Sequence, residues 1–577
     1  MTPLGVIALS ISKTTKEVEN GRPDEVTLGQ YLFDCLKSEE IHEVFGVPGD
    51  YNFTLLDTLE KYEGIQFING RNELNAGYAA DAYARLKGMG ALITTFGVGE
   101  MSACNVIAGA YSESVPLIHI VGSPKSKEQK EKKLLHHTLM DGDYDVFRKV
   151  YGNITGYTAI LTPENAELEI PAAIRIAKEK KKPVYLSVAI DLVMKPILRH
   201  NIQSSDEKIT KETSLRAAIA HAKEMFETAR SAVVLVDMLA VRYGLQDAVM
   251  RLAEEMNVPV ASMMQGKGGF DESHPNYIGT YGGPFGSERV CDIVEGADCV
   301  IIAGHVKSDV NLVKYTAKLN PLKTVDIQPE FVRVGAAEYV NIMAEDMLFA
   351  LRKIGYLQPE APVCNRFPYD VASGEPEQPI AAATYYPRIQ QMLKEKDIVI
   401  AETGTISYGM SQVRLPKGAK YIAQGGWQSI GYGVPAAFGA CLADKNRRVL
   451  LFTGEGSLQL TVQEISSMLD YECKPIIFIL NNQGYTIEKY LNVKSENQKY
   501  NQIPDWKYTQ LEEVFGGDAF TAKVRTNLEL DDAIKRAESE SKGKLSIIEM
   551  IVQDSMDAPE YLKRMWDYLV EQEQHQN

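Results

Sequence analysis

The stretch from Leu451 to Asn482, LFTGEGSLQLTVQEISSMLDYECKPIIFILNN, constrains the fold of this chain more than any other. Its pattern predicts a buried strand over 449–452, a glycine turn at Gly454, Glu455 and Gly456, a helix over 460–471 and a second buried strand over 476–480. That is a βαβ unit, which joins parallel strands through a helical crossover. Glycines at a strand-to-helix turn let backbone N–H groups approach an anion, and the following helix N-terminus favours negative charge, so a phosphate is a natural occupant.

The dinucleotide fingerprint also opens with G-x-G, but its third glycine is replaced here by Gln459, which weakens a nicotinamide or flavin reading. The carboxylate of Glu455, the side-chain oxygen of Asn482 and a nearby backbone carbonyl form a better set. Together they suit a hard divalent cation that shares the oxygens of a diphosphate.

Composition narrows the partners. Across 577 residues the chain is 45% hydrophobic and 24% charged, as expected of a globular protein with a large core. A net charge of −16 opposes nucleic acid or an anionic membrane as a partner. The seven cysteines, Cys35, Cys104, Cys291, Cys299, Cys364, Cys441 and Cys473, form no C-x-x-C pair and no disulfide framework. The first residues lack the basic start and cleavage pattern of a signal peptide, and no run spans a bilayer, so a cytoplasmic protein is expected.

The organisation expected along the chain is a polar arm over 1–24, an α/β domain over 25–194, a linker over 195–214, a central scaffold domain over 215–356, a linker over 357–387 and a third domain over 388–577. In the first domain VFGVPGD reads as a strand and a Pro-Gly turn that delivers Asp50 to a strand's carboxyl edge, where open α/β sheets bind ligands. Asn72 caps the next helix and Glu73 enters its first turn, which the helix dipole alone would explain. Ala76, Gly77, Ala79, Ala80, Ala82 and Ala84 make a helix face thin enough for close packing against another element, such as a second subunit. His136 and His137 are adjacent, and adjacent side chains usually diverge, so one is expected to be structural; a metal site normally spaces its histidines by three or four on a helix. Proton transfer carries no such restriction.

G-E-G-S followed by N-N at this distance resembles the signature of thiamine diphosphate enzymes, and G-Y-T-I-E-K from Gly484 resembles their 2-oxo acid decarboxylase branch. One departure is Glu455, where that family usually has Asp. The resemblance covers roughly residues 25–570 and implies three doubly wound parallel-sheet α/β domains of the pyruvate decarboxylase-like type. It implies thiamine diphosphate and Mg²⁺ as cofactors, held between the first domain of one subunit and the third of another. A homodimer is then the minimum unit and a homotetramer the usual one.

Carried onto this chain, Glu73 corresponds to the acid that hydrogen-bonds the pyrimidine ring, Ile430 to the apolar wedge that bends the cofactor, and Gln428 to the carbonyl that receives its amino group. Glu455, Asn482 and the Gly484 carbonyl would hold Mg²⁺, while Thr405, Gly456 and Ser457 would line the diphosphate. Asp50, His136, His137 and Glu488 resemble the family's proton-handling set. The implied reaction is non-oxidative decarboxylation of 2-oxo acids through a thiamine diphosphate ylide and enamine. Thr403, Ser407, Ile487 and Leu491 resemble substrate-pocket positions, and the small Ser407 leads us to expect a broad range of aromatic, branched or long aliphatic 2-oxo acids besides pyruvate. The competing readings are an acyloin-forming carboligase like acetolactate synthase, and a catalytically silent member of the same fold, the latter motivated by Glu455 alone.

Overall fold

The computed structural model describes residues 26–197, 208–361, 366–495, 498–540 and 542–576. The expected arm over 1–24, part of each expected linker and Cys364 lie outside the described residues. Three α/β sheets follow one another along the chain. The first is wholly parallel, in the spatial order Gln66–Asn69, Glu43–Gly46, Gly90–Thr95, Leu117–Ser123, Val184–Ala189, Tyr157–Leu161. The third is also wholly parallel, in the order Lys420–Ile422, Ile398–Ala401, Val449–Gly454, Ile476–Asn481, Leu545–Ile551, Ala519–Val524. Their central strands are buried end to end, as sheets covered by helices on both faces require.

The central sheet is mostly parallel, with one antiparallel edge. Five of its seven strands are parallel, but Phe331–Val334 and Ala337–Val340 form an antiparallel hairpin on one edge, turning at Gly335 with φ 58°. Two local expectations also change. The helix expected over 460–471 is instead two, Glu455–Thr461 and Glu464–Asp470, and the first begins at Glu455 because Gly454 stays extended up to the cap. The stretch before residue 388, read as linker, contains the start of the helix Ala382–Met392. Pro387 inside that helix cannot bond the Ala383 carbonyl four residues back, and the Ser373 hydroxyl donates to that carbonyl at 2.6 Å instead.

In both outer sheets the order of strands reverses beside the first strand, opening a crevice at the carboxyl edge. The two domains that carry them are clamped by the small-residue helix Glu73–Lys87. It does not await a second subunit, as its thin face had suggested, but packs on the helix Gly433–Ala443 of the same chain. A Cβ added to Gly439 would lie 2.0 Å from the Ala79 carbonyl oxygen, so the backbones touch only because that residue is glycine. Tyr432 donates to Asp81 at 2.7 Å across this contact, and Arg85 pairs with the same carboxylate at 2.7 Å.

Glu100 lies in the core of the first domain, accepting from the Gly97 N–H at 2.7 Å and the Tyr185 hydroxyl at 2.9 Å. Burial pushes its carboxyl up to about 7. The folded protein therefore holds this proton more tightly than the unfolded chain, and stability falls as pH rises from the ordinary carboxyl range to about 7. Gln can keep both contacts without charge. Urea unfolding at pH 5 and pH 8 should show Glu100→Gln losing on the order of 2–3 kcal/mol less than the parent between the two values; equal losses would contradict the assignment.

Candidate functional site

At the crevice of the third sheet, between Ile398–Ala401 and Val449–Gly454, lies a cleft of about 60 Å³. Thr403, Thr405, Ile430, Glu455, Gly456, Ser457, Asn482, Gly484, Ile487 and Glu488 all face it. Residues from four separated stretches thus reach one place, three of them set there by strand ends and Ile430 by a loop. Glu455 is 3% exposed, and its Oε1 accepts from the backbone N–H of Gly484 at 3.1 Å and of Asn482 at 3.3 Å. Despite these donors, burial pushes its carboxyl up to about 7, and among the described residues no positive charge faces it closely enough to compensate. Asn482 commits its amide nitrogen to Thr486 Oγ1 at 2.6 Å, which leaves the amide oxygen for a ligand. The Gly484 carbonyl accepts one bond, from Thr486 N at 3.0 Å, and keeps a second lone pair. A Cβ on Gly456 would strike Ile503 and Tyr485 at 2.5 Å, so the floor of the cleft requires glycine there.

Ile430 is presented by a tightly held loop. Gln428 adopts φ 56°, a left-handed conformation better suited to glycine, and its side chain turns back to the Gly425 carbonyl at 3.0 Å. It does not line the cleft as described for one chain. The residues that hold this loop were not singled out from sequence. Glu113 Oε1 accepts from the N–H of Gly426 at 2.6 Å and Trp427 at 2.9 Å, and Tyr78 donates to Ser429 at 2.7 Å. On the other side Glu402, fully buried, accepts from Gly433 N at 2.8 Å at the start of a helix, and burial pushes it up to about 7. These acids sit far from their partners in sequence, which left no local signal. Gly404, Ile406, Tyr485, Thr486 and Ile503 also line the cleft. Ser407 and Leu491 do not: the Ser407 hydroxyl is turned to the Gly404 carbonyl at 2.8 Å, and Leu491 is exposed.

A second group forms at the carboxyl edge of the first sheet. His136 Nε2 lies 2.5 Å from Asp50 Oδ2 and His137 Nε2 lies 3.5 Å from Asp50 Oδ1. Both rings thus meet one carboxylate although the two residues are adjacent. His137 takes φ 63°, a turn that brings both rings onto one carboxylate with 4.6 Å between their centres. Tyr51 stacks on His136 at 5.1 Å. Glu73 follows its Asn72 cap as read, half-buried, with its carboxylate against Gly99. None of Asp50, Glu73, His136 and His137 lines the cleft of the third sheet within one chain.

Three family models match the chain in order: the thiamine pyrophosphate enzyme N-terminal TPP binding domain over 26–145, the central domain over 219–345 and the C-terminal TPP binding domain over 402–550. Relatives match over nearly full length. The chain is 40% identical to a pyruvate decarboxylase of Aspergillus fumigatus over 557 residues, covering 93% of this chain and 96% of that one. It is 37% identical to pyruvate decarboxylase isozyme 2 of Saccharomyces cerevisiae, covering 93% and 97%, and 37% identical to a pyruvate decarboxylase of Candida glabrata, covering 93% and 96%. The chain belongs to the thiamine pyrophosphate enzyme family.

The cleft of this thiamine pyrophosphate enzyme fits the cofactor of its family. Its donor set is all hard oxygen, the type Mg²⁺ takes. Its buried carboxylate lacks a countercharge, and its glycine floor admits backbone-close approach. Glu455 in place of Asp keeps the charge inside the cleft. Glu455→Gln should abolish the several-degree rise in Tm produced by Mg²⁺ with thiamine diphosphate, leaving the Tm without them unchanged or higher because a buried charge is gone. A rise in the variant equal to the parent's, read by calorimetry, would exclude Glu455 as the metal ligand.

Proposed function

We propose that this protein is a thiamine diphosphate-dependent carboxy-lyase that splits 2-oxo acids into aldehyde and CO₂ without oxidation, as the names of its relatives suggest. The observation that carries the reading is the convergence of Thr405, Ile430, Glu455, Gly456, Ser457, Asn482, Gly484 and Glu488 on one cleft. When bound, thiamine diphosphate supplies the carbon nucleophile and the electron sink that loss of CO₂ requires. The chain supplies the rest. Glu455, the Asn482 amide oxygen and the Gly484 carbonyl would hold Mg²⁺, and Thr405, Gly456 and Ser457 would hold the diphosphate. Ile430 would press on the cofactor as an apolar wedge, and the Gln428 carbonyl would accept from its amino group.

Glu73 holds a proton at the pyrimidine ring, and Asp50, His136 and His137 exchange protons through the 2.5 Å and 3.5 Å contacts that link them. Glu488, exposed on the helix Thr486–Leu491 at the cleft, completes the set. Because the Asp50 and Glu73 groups do not line the cleft of their own chain, a second copy delivers them. The working unit is then at least a homodimer, with a homotetramer as the assembly we expect, in the cytoplasm. Domain limits of 25–194, 215–356 and 388–577 serve this reading. We further propose a broad range of substrates: pyruvate and larger aliphatic or aromatic 2-oxo acids. Thr403 and Ile487 at the cleft support this, whereas Ser407, facing Gly404, adds no room there.

The test is aldehyde release, followed by coupled NADH oxidation, with Mg²⁺ and thiamine diphosphate and a series from pyruvate to phenylpyruvate and indolepyruvate. Aldehyde is expected, with comparable kcat/KM for several members. A hydroxyketone in place of aldehyde would move the protein to the carboligases. Glu73→Gln should keep the Tm and lower turnover by at least about 10²-fold; turnover within a few-fold of the parent would sink the role given to Glu73.

A further inference from the structure

Asp50, His136 and His137 bring one carboxylate and two imidazoles together, and their ligating atoms all lie within 4.8 Å of one another. Two nitrogens and an oxygen form the donor set that borderline divalent cations such as Zn²⁺ take, whereas Mg²⁺ takes oxygen alone. Histidines that share a metal usually stand three or four residues apart on a helix. Here the left-handed turn at His137, φ 63°, does for adjacent residues what a helical turn does for that spacing.

The geometry is close to that of a tetrahedral site. With metal–ligand bonds of roughly 2.0–2.2 Å, the donors of a four-coordinate ion stand about 3.4 Å apart. His137 Nε2 and Asp50 Oδ1 are already 3.5 Å apart, whereas His136 Nε2 and Asp50 Oδ2, at 2.5 Å, must open by about 1 Å. The side chain that has to move is the most exposed of the three. His136 is 61% exposed, Asp50 39% and His137 31%, so an ion meets all three from solvent.

The group is braced from behind. The Tyr51 ring stacks on His136 with 17° between the planes, and its hydroxyl lies 3.5 Å from His136 Nδ1, the nitrogen that does not face Asp50. A metal-binding histidine commonly turns its second ring nitrogen to a polar partner, which fixes the ring. The His137 main chain rests on Gly97, where a Cβ would strike the His137 carbonyl oxygen. Both histidines are thus held at their roots while their Nε2 atoms meet at one carboxylate.

We propose that Asp50, His136 and His137 form a Zn²⁺ site, with water completing the coordination, and that zinc held there stops turnover. An ion on both imidazole nitrogens and the carboxylate takes up the lone pairs through which protons would pass. Binding follows from the geometry of the group alone, whereas inhibition rests on the function proposed above. The all-oxygen set of Glu455, Asn482 and Gly484 suits Mg²⁺, so the two cations are sorted by donor type.

Isothermal titration of Zn²⁺ into the full-length protein saturated with Mg²⁺ and thiamine diphosphate tests the site. One Zn²⁺ per chain is expected, at micromolar affinity or tighter and undiminished by a millimolar excess of Mg²⁺. His136→Gln and His137→Gln should each weaken binding at least tenfold, with thermal melting to check the fold, and Glu455→Gln should leave it unchanged. Aldehyde release should fall in step with occupancy and return when a zinc-selective chelator removes the ion. No binding at submillimolar Zn²⁺, affinity unchanged in both histidine variants, or affinity lost in Glu455→Gln would overturn the site. Zinc bound with full aldehyde release would overturn the inhibition. No aldehyde from the zinc-free protein would instead sink the carboxy-lyase reading and leave the binding result standing.

Discussion

The contact between two helix backbones at Ala79 and Gly439 is the constraint on which the arrangement of this chain depends. One helix begins at Glu73 and the other begins just after Ile430 and Gly431. Their close approach therefore fixes where Glu73 and Ile430 of one chain stand relative to each other. The buried pair across the contact, Tyr432 with Asp81, sets its register, and Asn75 donates to Glu464 of the helix Glu464–Asp470 at 2.9 Å. Small side chains make this possible because a Cβ at Gly439 would displace main chain rather than a flexible side chain. The chain thus spends its thinnest helix face internally.

Around this clamp the chemistry is placed by strand ends. Asp50, the turn at Gly97, Thr405 and Glu455 each follow a parallel strand at its carboxyl edge, where loops are free to vary while their roots are held rigidly by the sheet. The electrostatic theme is the buried carboxyl raised toward neutrality. Glu402 and Glu455 are both held near 7 by burial, one locking the turn before a helix and the other facing a cleft with no countercharge. The same burial leaves them in different settings: Glu402 accepts from the backbone N–H at a helix start, whereas Glu455 accepts from Asn482 and Gly484 at the cleft.

Much of this was legible in the sequence where the signal is local. The βαβ unit around Glu455, the Asn72 cap and the delivery of Asp50 to a strand edge each follow from a few neighbouring residues. What escaped depends on distant partners. Pro387 reads as a helix breaker until Ser373 satisfies the carbonyl it strands. The hairpin at Gly335 has the composition of loop and strand alike. That both His136 and His137 reach Asp50 requires a left-handed His137, which no pattern announces. Likewise Ser407 was weighed by its size, but its direction, toward Gly404, is set by the first turn of its helix.

The most direct measurement of the central claim is complementation between two inactive proteins. On the proposed function, Glu73→Gln and Glu455→Gln each damage one half of a site that two copies share. Unfolded together and refolded as a mixture, they should regain about a quarter of the parent's activity, because half the random dimers carry one site with both halves intact. Activity no greater than the sum of the two variants alone, from assemblies shown to be mixed, would contradict a site built between copies.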